Sequence, residues 1–229
     1  MRFWTLAEIT AKVENECDTQ DETLVRPSEF LEYANEAIDE CEAEIHSLYE
    51  DYFLKSEEIP VVAGDEKLDL PSDIYAHKIR RIIFTTSGGG STYTVTRIKD
   101  WHKFEAKALT DVSQSTDLYR YFIINETPGQ PQILLSPVMS ESGTMKVWYL
   151  RNANRLVNNT DICDIPEFIN FIFAHMKVKI YEKEGHPGLP AAMQKLEMER
   201  ERMNSVLTQM VPDADNEVEL DLRLYEEMN

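Results

Sequence analysis

An α+β fold is predicted: a helical bundle with an inserted antiparallel β-sandwich or barrel and an extended C-terminal arm. Three observations predict it. Apolar residues recur at steps of three and four on both flanks of the chain, but at steps of two in the middle. Glycine and proline turns crowd that middle stretch. The stretch 164–185 is apolar on more than one side, as befits a helix covered by several neighbours. These patterns divide the chain into helical residues 1–56, β residues 57–152, helical residues 153–211 and an acidic arm, 212–229.

Thr5-Leu6-Ala7-Glu8 is a Thr-x-x-Glu capping box, followed by Leu6, Ile9 and Val13 on one face of a short helix ending near Cys17. Asp18 to Val25 is a polar connector. Pro27 opens a second helix, in which Leu31, Ala34, Ile38, Cys41, Ile45, Leu48 and Tyr52 form a narrow apolar stripe with acids on the other faces. Such a stripe calls for helix–helix packing.

From about Glu57 the period changes. Ile59 to Pro71 reads as a β-hairpin turning at Gly64-Asp65. His77 to Thr86 is a strand, Gly88-Gly89-Gly90 a turn, and Ser91 to Ile98 the returning strand. The glycine run is not a phosphate loop, because no Gly-Lys-Ser/Thr follows it. Ile98, Trp101, Phe104 and Ala108 mark a short helix whose other side carries Lys99, Lys103 and Lys107, a solvated face rather than a nucleic-acid patch. Asp111 to Asp117 is loop. Strands follow at Leu118 to Asn125, Ile133 to Pro137 and Met145 to Leu150, with a turn at 128–131. In the last strand Val147 and Tyr149 share one face, Trp148 and Leu150 the other.

Asp164 is placed to cap the next helix, with Pro166 and Glu167 in its first turn and Gly185 as its left-handed stop. Phe168, Ile169, Ile172, Phe173 and Met176, with Ile180 beyond them, form its core-facing set. His175 reads as a partly buried, hydrogen-bonded core histidine. Beyond Pro187 and Pro190 lie Leu189, Met193, Leu196, Met203, Leu207 and Met210 at heptad spacing, with Arg200 in the one polar slot. In the arm, Val218, Leu220, Leu222 and Leu224 alternate with Glu219, Asp221 and Arg223, the pattern of a half-buried strand.

The net charge is −19, and residues 28–52 alone hold nine acids with no lysine or arginine. Residues 213–229 hold seven acids and one arginine. Such a chain does not grip a phosphate backbone, because that affinity comes from clustered cations. The acids read as solvated faces. Three widely spaced cysteines argue for a reducing compartment and against a disulfide framework or zinc site. No apolar run approaches the ~20 residues that span a bilayer, and Glu8 interrupts any secretory h-region. There is no H-E-x-x-H, C-x-x-C or G-x-S-x-G, and the five histidines are scattered. The chain therefore reads as a non-enzyme, with no catalytic residues, metal ligands or cofactors.

Four loose motifs then stand in order. They are T-L-A-E-I; P-S-E-F-L-E-Y-A-N-E-A-I-D-E-C; E-E-I-P-V-V-A-G-D-E-K-L-D-L-P-S-D with Y-F-I-I-N-E-T-P-G-Q-P-Q-I-L-L-S-P; and D-I-P-E-F-I-N-F-I-F-A-H-M. Over residues 3 to about 210 this layout resembles the head-to-tail adaptor (connector) proteins of tailed bacteriophages, of the tail-tubular-protein-A type. One departure is Arg26, where a Ser or Thr usually caps the second helix. The resemblance implies a structural virion protein of the neck, made in the host cytoplasm. It implies a ring of twelve copies between the portal protein and a tail nozzle or tail-tube protein, with tail fibres as further candidate partners. DNA would pass through the channel without specific binding, and no membrane is involved. On this reading the stripe from Leu189 to Met210 is the portal or subunit interface. The alternative is a DNA-binding or DNA-packaging accessory module, against which the charge argues.

Overall fold

Helix forms where the apolar step is three and four, and extended chain forms where it is two. In chain order the elements are α1 (Leu6–Cys17), α2 (Pro27–Leu48), β1 (Leu54–Val61), β2 (Lys67–Asp69), β3 (Ile74–Thr86), β4 (Thr92–Thr94), β5 (Thr96–Arg97), α3 (Trp101–Ala108), β6 (Arg120–Thr127), β7 (Gln130–Ser136), β8 (Gly143–Arg151), α4 (Ile169–Glu184) and α5 (Leu189–Met210). This computed structural model describes residues 2–18, 25–108, 119–127 and 130–210. The expected loop at 111–117, the strand start at Leu118, the Pro128-Gly129 turn, and the arm with Val218, Leu220, Leu222 and Leu224 lie outside the described residues. The chain forms two compact units, one of Met1–Tyr49 with Asn154–Asn229, the other of Glu50–Ala153. The fold is α+β.

In the helical unit, α1 starts on the reciprocal cap its sequence calls for. Thr5 Oγ1 accepts the Glu8 N–H at 3.3 Å, and the Glu8 carboxylate accepts the Thr5 N–H at 3.0 Å. α2 manages half of this: Glu29 reaches back to the Arg26 N–H at 2.7 Å, and arginine has no oxygen to return. The buried face of α2 is Phe30, Ala34, Ala37, Ile38, Cys41 and Ile45. The expected stripe differs at its ends. Leu31 is half-buried, Leu48 is exposed, and Tyr52 lies past the helix in a 3-10 turn, Glu50–Phe53. A straight helix drifts by ~20° per heptad against a 3.5-residue repeat, so a stripe chosen at strict heptad steps leaves the core after a few turns.

α4 packs against α1, α2 and α5. Ile172, Met176 and Ile180 are fully buried, and Phe168, Ile169, Phe171 and Phe173 nearly so. Its start differs from expectation. A 3-10 turn, Pro166–Phe168, precedes it, and Asp164 Oδ2 accepts the Asn154 N–H at 3.1 Å instead of capping the helix. Gly185, at φ 63°, ends it in the left-handed conformation that glycine adopts without strain.

The other unit holds two four-stranded sheets, in the orders β1-β8-β3-β4 and β2-β7-β6-β5. One buried cluster takes residues from both, including Ile82, Phe84, Val147 and Tyr149 from the first and Leu68, Tyr121, Ile133 and Leu135 from the second. That makes a sandwich. Two expectations are corrected here. Ile59 to Pro71 is no hairpin: β1 pairs with β8 and β2 with β7, so Gly64-Asp65 is a corner between sheets. Gly64 sits at φ 100°, and the Asp65 carboxylate takes the Val62 N–H at 2.7 Å. A tight turn between two short extended runs has the same local signature in both cases. Likewise Ser91 to Ile98 is not one strand. The Val95 N–H bonds to Ile82 O in one sheet, and the next amide, Thr96, bonds to Tyr119 O beside the other. The β5–β6 pairing is parallel, an exception in otherwise antiparallel sheets. Leu150, expected opposite Tyr149, is as buried as Tyr149, because the alternation lapses near the end of β8.

Candidate functional site

Among the described residues no group of three or more His, Cys, Asp or Glu is placed to hold a metal ion. Cys17, Cys41 and Cys163 are free and buried. Burial pushes the Cys17 and Cys163 thiols up to about 11 and that of Cys41 higher still, so none is a ready nucleophile. In the sheet unit, Tyr149 donates to Asp73 at 2.8 Å and to Glu57 at 3.2 Å. Burial and these carboxylates raise its pKa, which keeps the phenol a donor rather than a base.

The acids of α2 take a different place from the solvated face expected of them. Glu29 meets Lys183 at 2.6 Å, Glu36 meets Lys179 at 2.9 Å and Glu40 meets His175 at 3.0 Å. Ascending α2 while descending α4, these pairs form an antiparallel ladder. Arg200 of α5 joins it, bonded to Glu40 and 3.8 Å from Glu44. Asp39 is taken by Arg155, and Glu50 and Asp51 by Arg80. Partly exposed pairs of this kind are worth ~0–1 kcal/mol each. Burying an α4 side chain such as Ile172 is worth ~1.5–3 kcal/mol. The ladder therefore selects the register of α2 on α4, and the apolar core supplies most of the stability.

α5 presents three different faces. Met203 and Leu207 are buried within the bundle, and the Cys41 thiol lies 3.4 Å from the Met203 sulfur. Leu189, Leu196 and Met210 are half-buried. Met193 is 56 % exposed, and so is Met198. The six-residue stripe is thus split: its C-terminal part belongs to the core, and its N-terminal part remains accessible. Ala191, Lys195, Glu199 and Arg202, at steps of four, four and three, share another face. They line an open groove of ≈ 650 Å³, with Lys12 and Glu16 of α1 and Asn170, Phe173, Ala174, Lys177 and Tyr181 of α4.

Sequence reasoning missed this groove. Its cations are spread over three helices, and no local spacing brings them together. The available signal was Lys177, set beside the most apolar part of α4. On α3, Phe104 is buried while Trp101 and Lys103 are exposed, as is Lys99 just before the helix; Trp101 packs on Phe104 and Phe122 at 5.8 and 5.4 Å.

No curated protein matches the chain. A family model, that of the SU10 adaptor protein, matches residues 4–219. The match takes in all thirteen elements described above and runs past Met210, where the expected resemblance stopped. The chain belongs to the SU10 adaptor protein family, structural adaptor proteins of bacteriophages.

Proposed function

We propose that the protein forms the ring that joins the portal to the tail or nozzle in the virion neck and leaves a channel for the genome. The family match over residues 4–219 carries this reading. The earlier resemblance to tail-tubular-protein-A adaptors suggests twelve copies, with the helical unit toward the portal and the sheet unit toward the tail. Leu189, Met193 and Leu196 are the accessible part of the α5 stripe and the surface we assign to a neighbouring subunit or the portal. Met203 and Leu207 hold that helix from inside. The acidic balance suits a wall past which DNA slides, since like charges repel it. Mass measurement of the protein mixed with purified portal tests the proposal. A defined ring on the portal supports it, and a protein that stays monomeric in the presence of portal overturns it.

A further inference from the structure

In the sheet unit Lys55, Lys67, Lys78, Arg80 and Lys146 each meet a carboxylate. Arg97, Lys99, Lys103 and Arg120 form no ion pair with any described residue. These four are neighbours in the fold. The parallel pairing sets Arg97 on β5 beside Tyr121, and Arg120 on β6 beside Thr96, on strands about 4.8 Å apart. The Ile98 N–H then bonds to Tyr121 O at 2.9 Å, which brings Lys99 and the start of α3 alongside β6. Arg97, Lys99 and Lys103 are exposed, and Arg120 is half-buried. Two acids share the stretch. Asp100 turns its carboxylate to the N–H groups of His102 and Lys103, at 3.0 and 3.4 Å, and Glu105 is exposed. The cations still outnumber them, in a chain whose whole charge is −19.

Trp101 lies among these cations and is 45 % exposed. It stacks on the buried Phe104 at 5.8 Å and 27°, and meets Phe122 edge-on at 5.4 Å and 70°. Held on two sides, the indole has already lost its rotamer freedom, so a partner that stacks on its accessible surface pays little further ordering. Unpaired cations around a fixed aromatic ring suit a strand of nucleic acid: its phosphates neutralise the cations and its bases are free to stack. We propose that this patch binds single-stranded nucleic acid without sequence preference. One base lies on Trp101, and the phosphates meet Lys99, Lys103 and Arg120, with Arg97 at the sheet edge. A duplex hides the faces of its bases and offers its phosphates alone. A lipid surface fits less well. Among the described residues from 95 to 127, Trp101 is the one large apolar side chain that is exposed, whereas a membrane contact takes a wider apolar face. This inference concerns the sheet unit by itself and does not rest on the ring.

The test is fluorescence anisotropy of a labelled oligothymidine of roughly 15 nucleotides, titrated with the full-length protein. Three or four phosphate contacts, at a slope of ~0.7 each, should weaken binding about 20- to 50-fold between roughly 50 and 200 mM salt. Lys99→Gln with Lys103→Gln, both at exposed positions, should weaken it several-fold at an unchanged melting temperature. Trp101→Ala should cost about tenfold, and Trp101→Phe, which keeps a ring on Phe104, should retain most of the affinity. No binding at the lower salt overturns the proposal. So does equal or tighter binding of a duplex of the same length, or binding unchanged in the double lysine variant or in Trp101→Ala. A loss caused instead by Lys177→Gln with Lys195→Gln would put the site in the helical unit and overturn it too. Cosedimentation with phosphatidylglycerol vesicles is the last arm. Vesicle binding that needs Lys99 and Lys103, without oligonucleotide binding, would assign the patch to lipid and overturn the proposal.

Discussion

His175 Nε2 lies 3.0 Å from the Glu40 carboxylate, at a site where the histidine is almost wholly buried. Burial pushes the His175 pKa down; Glu40 and Glu36 oppose this, while Lys179 and Arg200 reinforce it. Burial is the largest of these influences, and Glu40 also bonds to Arg200. The ring is therefore neutral in the folded protein near pH 7, with its proton placed to face Glu40. A histidine whose folded pKa lies below its unfolded value stabilises the fold above the unfolded pKa. That contribution is lost as pH falls through the folded one. The melting temperature should fall between pH 7 and pH 5, before most carboxylates titrate. In His175→Gln, which keeps a donor but does not titrate, the decline over this window should be shallower. Equal slopes for the two proteins would remove His175 from the account.

Ile172→Asp should prevent stable folding. Ile172 is fully buried on α4, which packs against α1, α2 and α5. An unpaired carboxylate there costs several kcal/mol against a total stability of ~5–15 kcal/mol. The check is a thermal melt followed by circular dichroism; a soluble variant with an unchanged midpoint would refute burial of this face.

Gly143→Ala tests the sheet unit. A Cβ at Gly143 would stand 2.2 Å from Thr85 O and 2.7 Å from a Phe84 ring carbon. Residue 143 pairs with Val61 on one side and Thr86 on the other, at the start of β8. The backbone oxygen cannot swing away as a flexible side chain would, so the strands must part. Overpacking of this kind costs ~1–3 kcal/mol. Urea denaturation should show a lower midpoint with an unchanged slope, whereas Gly88→Ala, which meets nothing within 4 Å, should be close to neutral.

How far the sequence revealed this molecule depended on the range of the forces involved. The Thr5–Glu8 cap and the Gly185 stop are decided within four residues, and both form as read. The burial of Ile172 and Met176 is written in the spacing of one helix. Pairing between distant segments is not written locally. The same Gly64-Asp65 signature serves a hairpin or a corner between sheets, and only the partner strands β7 and β8 decide which. The acids of α2 looked solvated because their partners, Lys179, Lys183 and Arg200, lie more than a hundred residues away. The groove was invisible for the same reason. The order of loose motifs, none of them chemically specific, carried the resemblance to phage head-to-tail adaptors, while membership of the SU10 adaptor family rests on the family model over residues 4–219.

The two halves of the α5 stripe should separate experimentally. Leu207 is fully buried, so Leu207→Asp should unfold the helical unit, by the same reasoning as for Ile172. Met193 is 56 % exposed and stands on a different side of α5 from Lys195 and Glu199 of the groove. Met193→Glu should therefore change stability by no more than ~0.5 kcal/mol, as exposed substitutions usually do. If Leu189, Met193 and Leu196 meet a neighbouring copy or the portal in the proposed ring, the same change buries a carboxylate in that interface. Assembly should then weaken by roughly tenfold or more, since an unpaired interfacial charge costs ~2 kcal/mol or above. The measurement is the ring fraction by native mass or sedimentation, set beside the melting temperature of the same preparation. Normal melting with impaired assembly would locate the interface on this face. Normal melting with normal assembly would move the interface off α5 and leave Met193 a solvent-exposed methionine.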